Sequence, residues 1–290
     1  MQELPDTTVC IPFHNVPVKL FNELVASLDR QSFKNFMVMV YDDCSDSVEA
    51  LENLERVISS RRETWVVVRS KTNRGVSHAR NELFRLAKTP YVMFSDADDW
   101  LESKKIEVMR ERLIRSGADC VFCDFSTDLG IEGTPSNDLR VSKGLIFTSY
   151  PTIIEHVAHG MYRREAIVDK VLFDENLKSV EDLKFFYDLI KAGKKISKVP
   201  EKLFLYRYKG NDDSLSKEDR LFKNIYKVFQ WCVKEEFGLD VTENVARVAK
   251  GKAPVDSLVG VEKRMFINFK RALRSCEGID FKAIASRVPF

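Results

Sequence analysis

Short apolar runs alternate with amphipathic stretches five times over the first 125 residues, an order that few folds accommodate. Residues 8–13, 36–41, 65–68, 91–94 and 120–125 have the apolar, β-branched character of strands. Between the first two, Phe21, Leu24, Val25 and Leu28 lie at i, i+3, i+4 and i+7, which predicts a helix over 18–30. Asp46 with Glu49 three residues later has the form of a capping box opening a helix toward Ile58. Further helices are expected over 75–86 and around Ile106, Met109 and Leu113. Strand and helix in strict alternation predict an α/β fold: an open, mixed but mainly parallel sheet with helices on both faces.

In such sheets a ligand sits beyond the carboxyl ends of the strands, where the strand order switches. Two acidic runs fall at strand ends here, 42–46 and 96–99. Asp96 and Asp98 share a side if the chain stays extended. Their hard oxygens suit Mg2+ or Mn2+, ions that also take phosphate oxygens. The competing role is a helix cap after Trp100, since Asp is common at caps. Asp42 and Asp43 divide between a turn and a carboxylate that accepts from the base or ribose of a nucleotide. In 73–81, Gly75 permits close backbone approach at a helix start whose amides attract phosphate, and Arg74 and Arg80 add charge. Glu181-Asp182 begins a helical stripe continued by Leu183, Phe186, Tyr187 and Ile190. A carboxylate there is either favoured by the helix dipole or serves as general base for an attacking hydroxyl.

Other features carry less. Cys120 and Cys123 on one strand point to opposite faces and lack a second pair, which argues against zinc or redox chemistry. His156 and His159 have helical spacing and are read as surface or packing residues. Residues 126–150 are expected to be irregular, 195–199 and 203–208 short strands, and the chain beyond Ser216 mostly helical.

A length of 290 residues, 44% hydrophobic and 31% charged, excludes whole-chain disorder and allows one large core or a main domain with an appendage. The net charge of +2 hides an asymmetry: residues 215–290 hold 15 Lys/Arg against 10 Asp/Glu, and residues 1–214 hold 31 against 34. Six scattered cysteines fit reduced thiols, and hence a cytoplasmic setting. No secretory signal is expected before Pro5, and no apolar stretch approaches the roughly 20 residues of a membrane span. Membrane contact, at the inner face, would then be peripheral.

Taken in order, Ile-Pro-Phe-His-Asn15, Tyr-Asp-Asp-Cys-Ser45, Asn-Arg-Gly75, Ala-Arg-Asn81 and Phe-Ser-Asp-Ala-Asp-Asp99 resemble glycosyltransferase family 2. Met-Tyr-Arg-Arg164, Phe-Asp-Glu175, Val-Glu-Asp182 and Leu-Tyr-Arg-Tyr208 are similar to the second half of that family's catalytic domain. The resemblance covers about residues 7–216. It implies a GT-A fold over 1–215, with a nucleotide-sugar half to about 125 and an acceptor half to about 215, ahead of a basic helical region, 216–290. It also implies an inverting transfer from a nucleoside diphosphate sugar, UDP-linked by preference, with Mn2+ or Mg2+ as cofactor. Pro12, His14 and Asp43 would meet the nucleoside, with Asn15, Gly75, Arg80 and Glu181 among the further substrate contacts. Asp96 would approach ribose or metal, Asp98 would be the main metal ligand, and Asp182 would be the base. Where the family often has a His after the Tyr-Arg pair, this chain has Lys209; Lys209 or Arg207 would offset phosphate charge instead.

The implied acceptor is a polysaccharide or lipid-linked glycan. An alternative, a hydroxymethylated base of DNA, follows from residues 244–290, with 10 Lys/Arg against 4 Asp/Glu interleaved with Val261, Met265, Phe266, Phe269 and Leu273. The same pattern suits an anionic membrane surface. A sugar nucleotidyltransferase also has strand-end carboxylates but opens on a Gly-rich basic loop, which 11–15 is not. Two intact acidic sites argue against a mere binding module.

Overall fold

The computed structural model describes residues 4–127, 132–133, 160–177, 179–207, 219–249 and 253–274. Lys209, His156, His159 and most of 126–150 lie outside them. In chain order the elements begin β1 (Thr7–Phe13), α1 (Val18–Asp29), β2 (Phe36–Asp42), α2 (Val48–Ser59), β3 (Trp65–Arg69), α3 (Val76–Leu86) and β4 (Tyr91–Phe94). There follow β5 (Trp100–Leu101), α4 (Lys105–Ser116), β6 (Cys120–Thr127), β7 (Glu132–Gly133), β8 (Met161–Arg163) and α5 (Arg164–Ile167). The last are α6 (Glu181–Lys191), β9 (Ile196–Tyr206), α7 (Asp219–Phe237), α8 (Glu243–Ala249) and α9 (Val261–Arg274).

The strands form one sheet in the order β3-β2-β1-β4-β8-β6-β9-β5, with β7 on β6. The first four are parallel to one another. Beyond them β8 runs antiparallel between β4 and β6, and β9 lies parallel to β6. Period-two alternation explains why both faces are covered. Val9, Ile11, Val38, Val40, Met93, Val121 and Cys123 face a core built with α1, α2 and α4. Cys10, Met39, Tyr41, Val92, Phe94, Cys120 and Phe122 face one built with α3, α6 and the C-terminal helices. Cys120 and Cys123 therefore point to opposite faces, as the strand geometry requires.

Three local expectations need correction. The cap of α2 is Ser47, which accepts from the Ala50 amide, because Asp46 is occupied by Asn15. Residues 195–199 and 203–208 are not two strands: β9 runs unbroken over Ile196–Tyr206, and register shifts against β6 at Cys123/Asp124 and Asp124/Phe125 absorb Pro200. The Asp96–Asp99 run does not cap a helix directly after Trp100. That residue enters β5, and α4 starts later, behind Lys104, with no side-chain cap.

An aromatic cluster fixes α3 against α6. Phe84 packs on Phe94 and Tyr162, with ring centroids 4.7 and 5.4 Å away, and Phe173 stacks on Phe185 at 4.1 Å. Burying each such ring contributes about 1.5–3 kcal/mol. This packing sets the distance between the two helices that carry Arg80 and Glu181.

Candidate active site

The site lies where the strand order reverses, at the carboxyl ends of β1, β2 and β4. After β1, His14 is exposed and its Nε2 lies 3.1 Å from Asn73 Nδ2. Asn15 takes a left-handed conformation (φ 50°) that aims its side chain at the neighbouring loop. There its Oδ1 accepts from the Asp46 and Ser47 amides, at 3.0 and 2.9 Å. After β2, Asp42 accepts from the Ser45 amide and pairs with Arg69 at 3.0 Å, which makes it a turn residue. Asp43 is buried; its carboxylate accepts from the Arg74 amide (3.0 and 3.1 Å) and from the Gly75 amide (2.6 Å). Gly75 supplies that amide at φ 91°, a region that a side chain rarely tolerates. Asp43 thus ties the β2 end to the start of α3. Pro12 is half-buried at the end of β1.

After β4, one carboxylate oxygen of Asp96 accepts from Arg80 at 2.9 Å, and Arg80 also donates to Glu181 at 2.7 Å. The guanidinium is buried, 5.3 Å from the Phe173 ring centroid. Burial works against its charge, but Asp96 and Glu181 outweigh that and hold it protonated. Residues 85 apart in sequence are thereby joined through Arg80: Asp96 after β4 and Glu181 at the start of α6. Asp182 lies beside them, half-buried. Burial, then the charge of Glu181, pushes its carboxyl up to about 7. Val180, just before the pair, is held left-handed (φ 64°) and buried, a strained state for a β-branched residue.

Asp98 is half-buried, and Asp99 is buried, accepting from the Arg207 amide at 3.1 Å. Burial, then Asp98 and Asp96, pushes the Asp99 carboxyl well above the usual carboxylate range. Behind it Lys105 is wholly buried, 4.4 Å from the Phe204 ring centroid, and burial lowers its pKa to about 8. The Arg207 guanidinium turns to Glu23 on α1.

One residue in the network had no role expected of it. Glu175 accepts from Asn81 (3.1 Å) and Arg74 (2.9 Å) and meets His78 Nδ1 at 3.1 Å. Burial alone would raise its pKa; Asn81, His78 and Arg74 hold it below the usual range. It clamps the segment before α6 onto α3. Its place in Phe-Asp-Glu175 was the only sequence signal for it.

Among the described residues, no group of three His, Cys, Asp or Glu side chains could hold a metal alone. The donor chemistry nevertheless fits an ion shared with a ligand. Mg2+ and Mn2+ are commonly held by one or two carboxylates, with phosphate and water completing the shell. The mutual charge of Asp96, Asp98 and Asp99 is what a cation would relieve.

A sheet with this strand order, acidic strand ends at its switch point and a buried carboxylate corner opposite forms a ligand crevice of the open α/β type. Residues 8–169 match the model described as Glycosyl transferase family 2, and the chain belongs to that family. It is 26% identical over 221 residues to the uncharacterized glycosyltransferase EpsJ of Bacillus subtilis, covering 72% of this chain and 62% of that one. It is 25% identical over 250 residues to the poly(ribitol-phosphate) beta-N-acetylglucosaminyltransferase TarS of Staphylococcus aureus, covering 81% of this chain but 41% of TarS. The chain therefore spans less than two thirds of either relative. The structure of TarS residues 1–349 with UDP-GlcNAc matches with a TM-score of 0.66 at 22% identity, over 92% of this chain and 81% of that one. Mannosyltransferase PcManGT of Pyrobaculum calidifontis, with GDP-Man and Mn2+, matches with a TM-score of 0.60 at 15% identity, over 100% and 77%. The fold is GT-A-like.

Proposed function

We propose that this glycosyltransferase moves a sugar, with inversion, from a UDP-linked donor to a hydroxyl of a polysaccharide or lipid-linked glycan in the cytoplasm. The observation that carries this reading is the Arg80 bridge, which brings Asp96 and the Glu181-Asp182 corner into one site. The loops bearing Pro12, His14, Asn15 and Asp43 would receive the nucleoside, and the amides at the start of α3 are suited to phosphate. Asp96 and Asp98 would hold Mn2+ or Mg2+, which when bound would neutralise charge on the departing diphosphate. Gly75 and Arg80 would shape the floor beneath the diphosphate and Lys209 would offset its charge, whereas the Arg207 guanidinium is held by Glu23 on α1.

Asp182 would take the proton of the acceptor hydroxyl while that oxygen bonds to the anomeric carbon. The bond from that carbon to the diphosphate oxygen breaks, and its electron pair leaves with the diphosphate. A carboxyl titrating near 7 is well matched to this task at neutral pH. Glu181, held by Arg80 beside it, is one of the groups that raise that pKa. TarS, whose structure holds UDP-GlcNAc and whose name gives poly(ribitol-phosphate) as its acceptor, supports the UDP preference and a polymeric acceptor. PcManGT, held with Mn2+, supports the metal.

The test is a thermal-shift panel of UDP- and GDP-sugars with and without Mn2+, since a ligand of the native state raises its melting temperature. A UDP-sugar that stabilises the protein only with Mn2+ is expected. A larger shift with GDP-mannose would overturn the donor, and no shift with any nucleotide sugar would overturn the reading.

A further inference from the structure

We propose that the outward face of α9 docks on an anionic lipid bilayer. At 100° per residue, Lys263, Arg264, Lys270 and Arg271 fall within an arc of about 120° centred on Ile267. All four cations are exposed, and Ile267 is 50% exposed. None of the four is ion-paired among the described residues, and Lys270 rests 5.2 Å from the Phe266 ring centroid. Glu262, the acidic residue of the helix, is turned away: it accepts from Thr242 at 2.7 Å and Asn244 at 3.0 Å. Phe269, on the opposite side, is buried against Phe229 and Phe237 of α7. Among the described residues of α9, the outward arc is therefore cationic without an acid to offset it.

A second observation separates a bilayer from other polyanions. Of nine large hydrophobic side chains left exposed among the described residues, four fall in this one stretch: Val255, Val259, Val261 and Ile267. A phosphate backbone would engage the cations and leave these side chains in water. A bilayer interface accepts both, with charge against the headgroups and apolar groups beneath them. The charge complementarity and the exposed apolar side chains of this stretch thus suit the same partner. The inference stands on α9 and the segment leading into it, and is independent of the sugar-transfer chemistry.

The test is co-sedimentation of the full chain with phosphatidylcholine vesicles containing or lacking phosphatidylglycerol, at low and high salt. Binding is expected only to the anionic vesicles, weakening with salt. Each cation near such a surface is worth about fivefold in affinity, so Lys270→Gln with Arg271→Gln should lower binding roughly 25-fold. Ile267→Asp should lower it as well, and both variants should hydrolyse nucleotide sugar at the wild-type rate. If either melts below the wild type, Lys263→Gln with Arg264→Gln takes its place. Equal binding to neutral vesicles, no binding to either, or unchanged binding by the variants would overturn the proposal. So would tighter binding, per phosphate, to duplex DNA than to the anionic vesicles. The readout needs neither donor nor acceptor, so it can fail while the enzymatic reading stands.

Discussion

The loops after β1 and β2 and the corner at the start of α6 both present carboxylates to the site, but they hold them by different means. In the loops the work is done by backbone amides close by in the fold: Asp42 on Ser45, Asp43 on Arg74 and Gly75, Asn15 on Asp46 and Ser47. Only the Asp42 turn is local in sequence; Asp43 and Asn15 take amides 31 or 32 residues away, from an adjacent loop. At the corner, Glu181 depends on an arginine 101 residues earlier, and Asp182 on how deeply the corner is buried. The first arrangement seats its side-chain oxygens on backbone amides. The second gives a carboxyl whose proton affinity is set by packing, as proton transfer requires.

If that contrast is right, substitutions at the corner should act on chemistry and those in the loops on binding. The largest expected effect is Asp182→Asn, which should lower turnover roughly 100- to 10,000-fold and leave nucleotide affinity unchanged, as measured by kcat and by calorimetry. The same group should shape the pH profile. Because its pKa is raised to about 7, it is protonated and inactive as a base below that pH. Wild-type kcat/KM should thus fall tenfold per unit as pH drops below about 7. The stability sign is opposite: the folded protein disfavours the ionised form, so this group's contribution to stability declines as pH rises from its ordinary 3.8 toward 7. Urea denaturation of Asp182→Asn across that window should show a shallower slope.

Next in size is Arg80→Met, which strands Asp96 and Glu181. It should cost about 3 kcal/mol in urea denaturation, since removing one partner leaves buried charge uncompensated. An unchanged midpoint would mean that the bridge does not join the two regions. Asp43→Ala should cost about 2 kcal/mol, the scale of hydrogen bonds to a charged group, and raise KM for the donor more than it lowers kcat. The smallest effect is Gly75→Ala. No described atom would lie within 4 Å of its added Cβ, so only the backbone strain at φ 91°, ψ 166° remains, at the low end of about 1–3 kcal/mol.

The order of strands and helices was legible because each element carries its own periodicity and is covered by apolar neighbours on known faces. The pairs Asp42-Asp43 and Asp96-Asp98 were legible as strand-end carboxylates for the same reason: a strand's end is a local fact. The antiparallel β8, three residues long, was not, since its pairing with β4 and β6 exists only once those strands are side by side. Nor was the function of Glu175 as a clamp, because its three partners sit on α3 and in the loop ahead of it. Sequence alone thus determined which elements form and which side chains stand at their ends, through interactions a few residues long. The raised pKa of Asp182, the Arg80 bridge and the strain at Val180 were decided by tertiary structure, because burial and charge pairing depend on what the rest of the chain brings near.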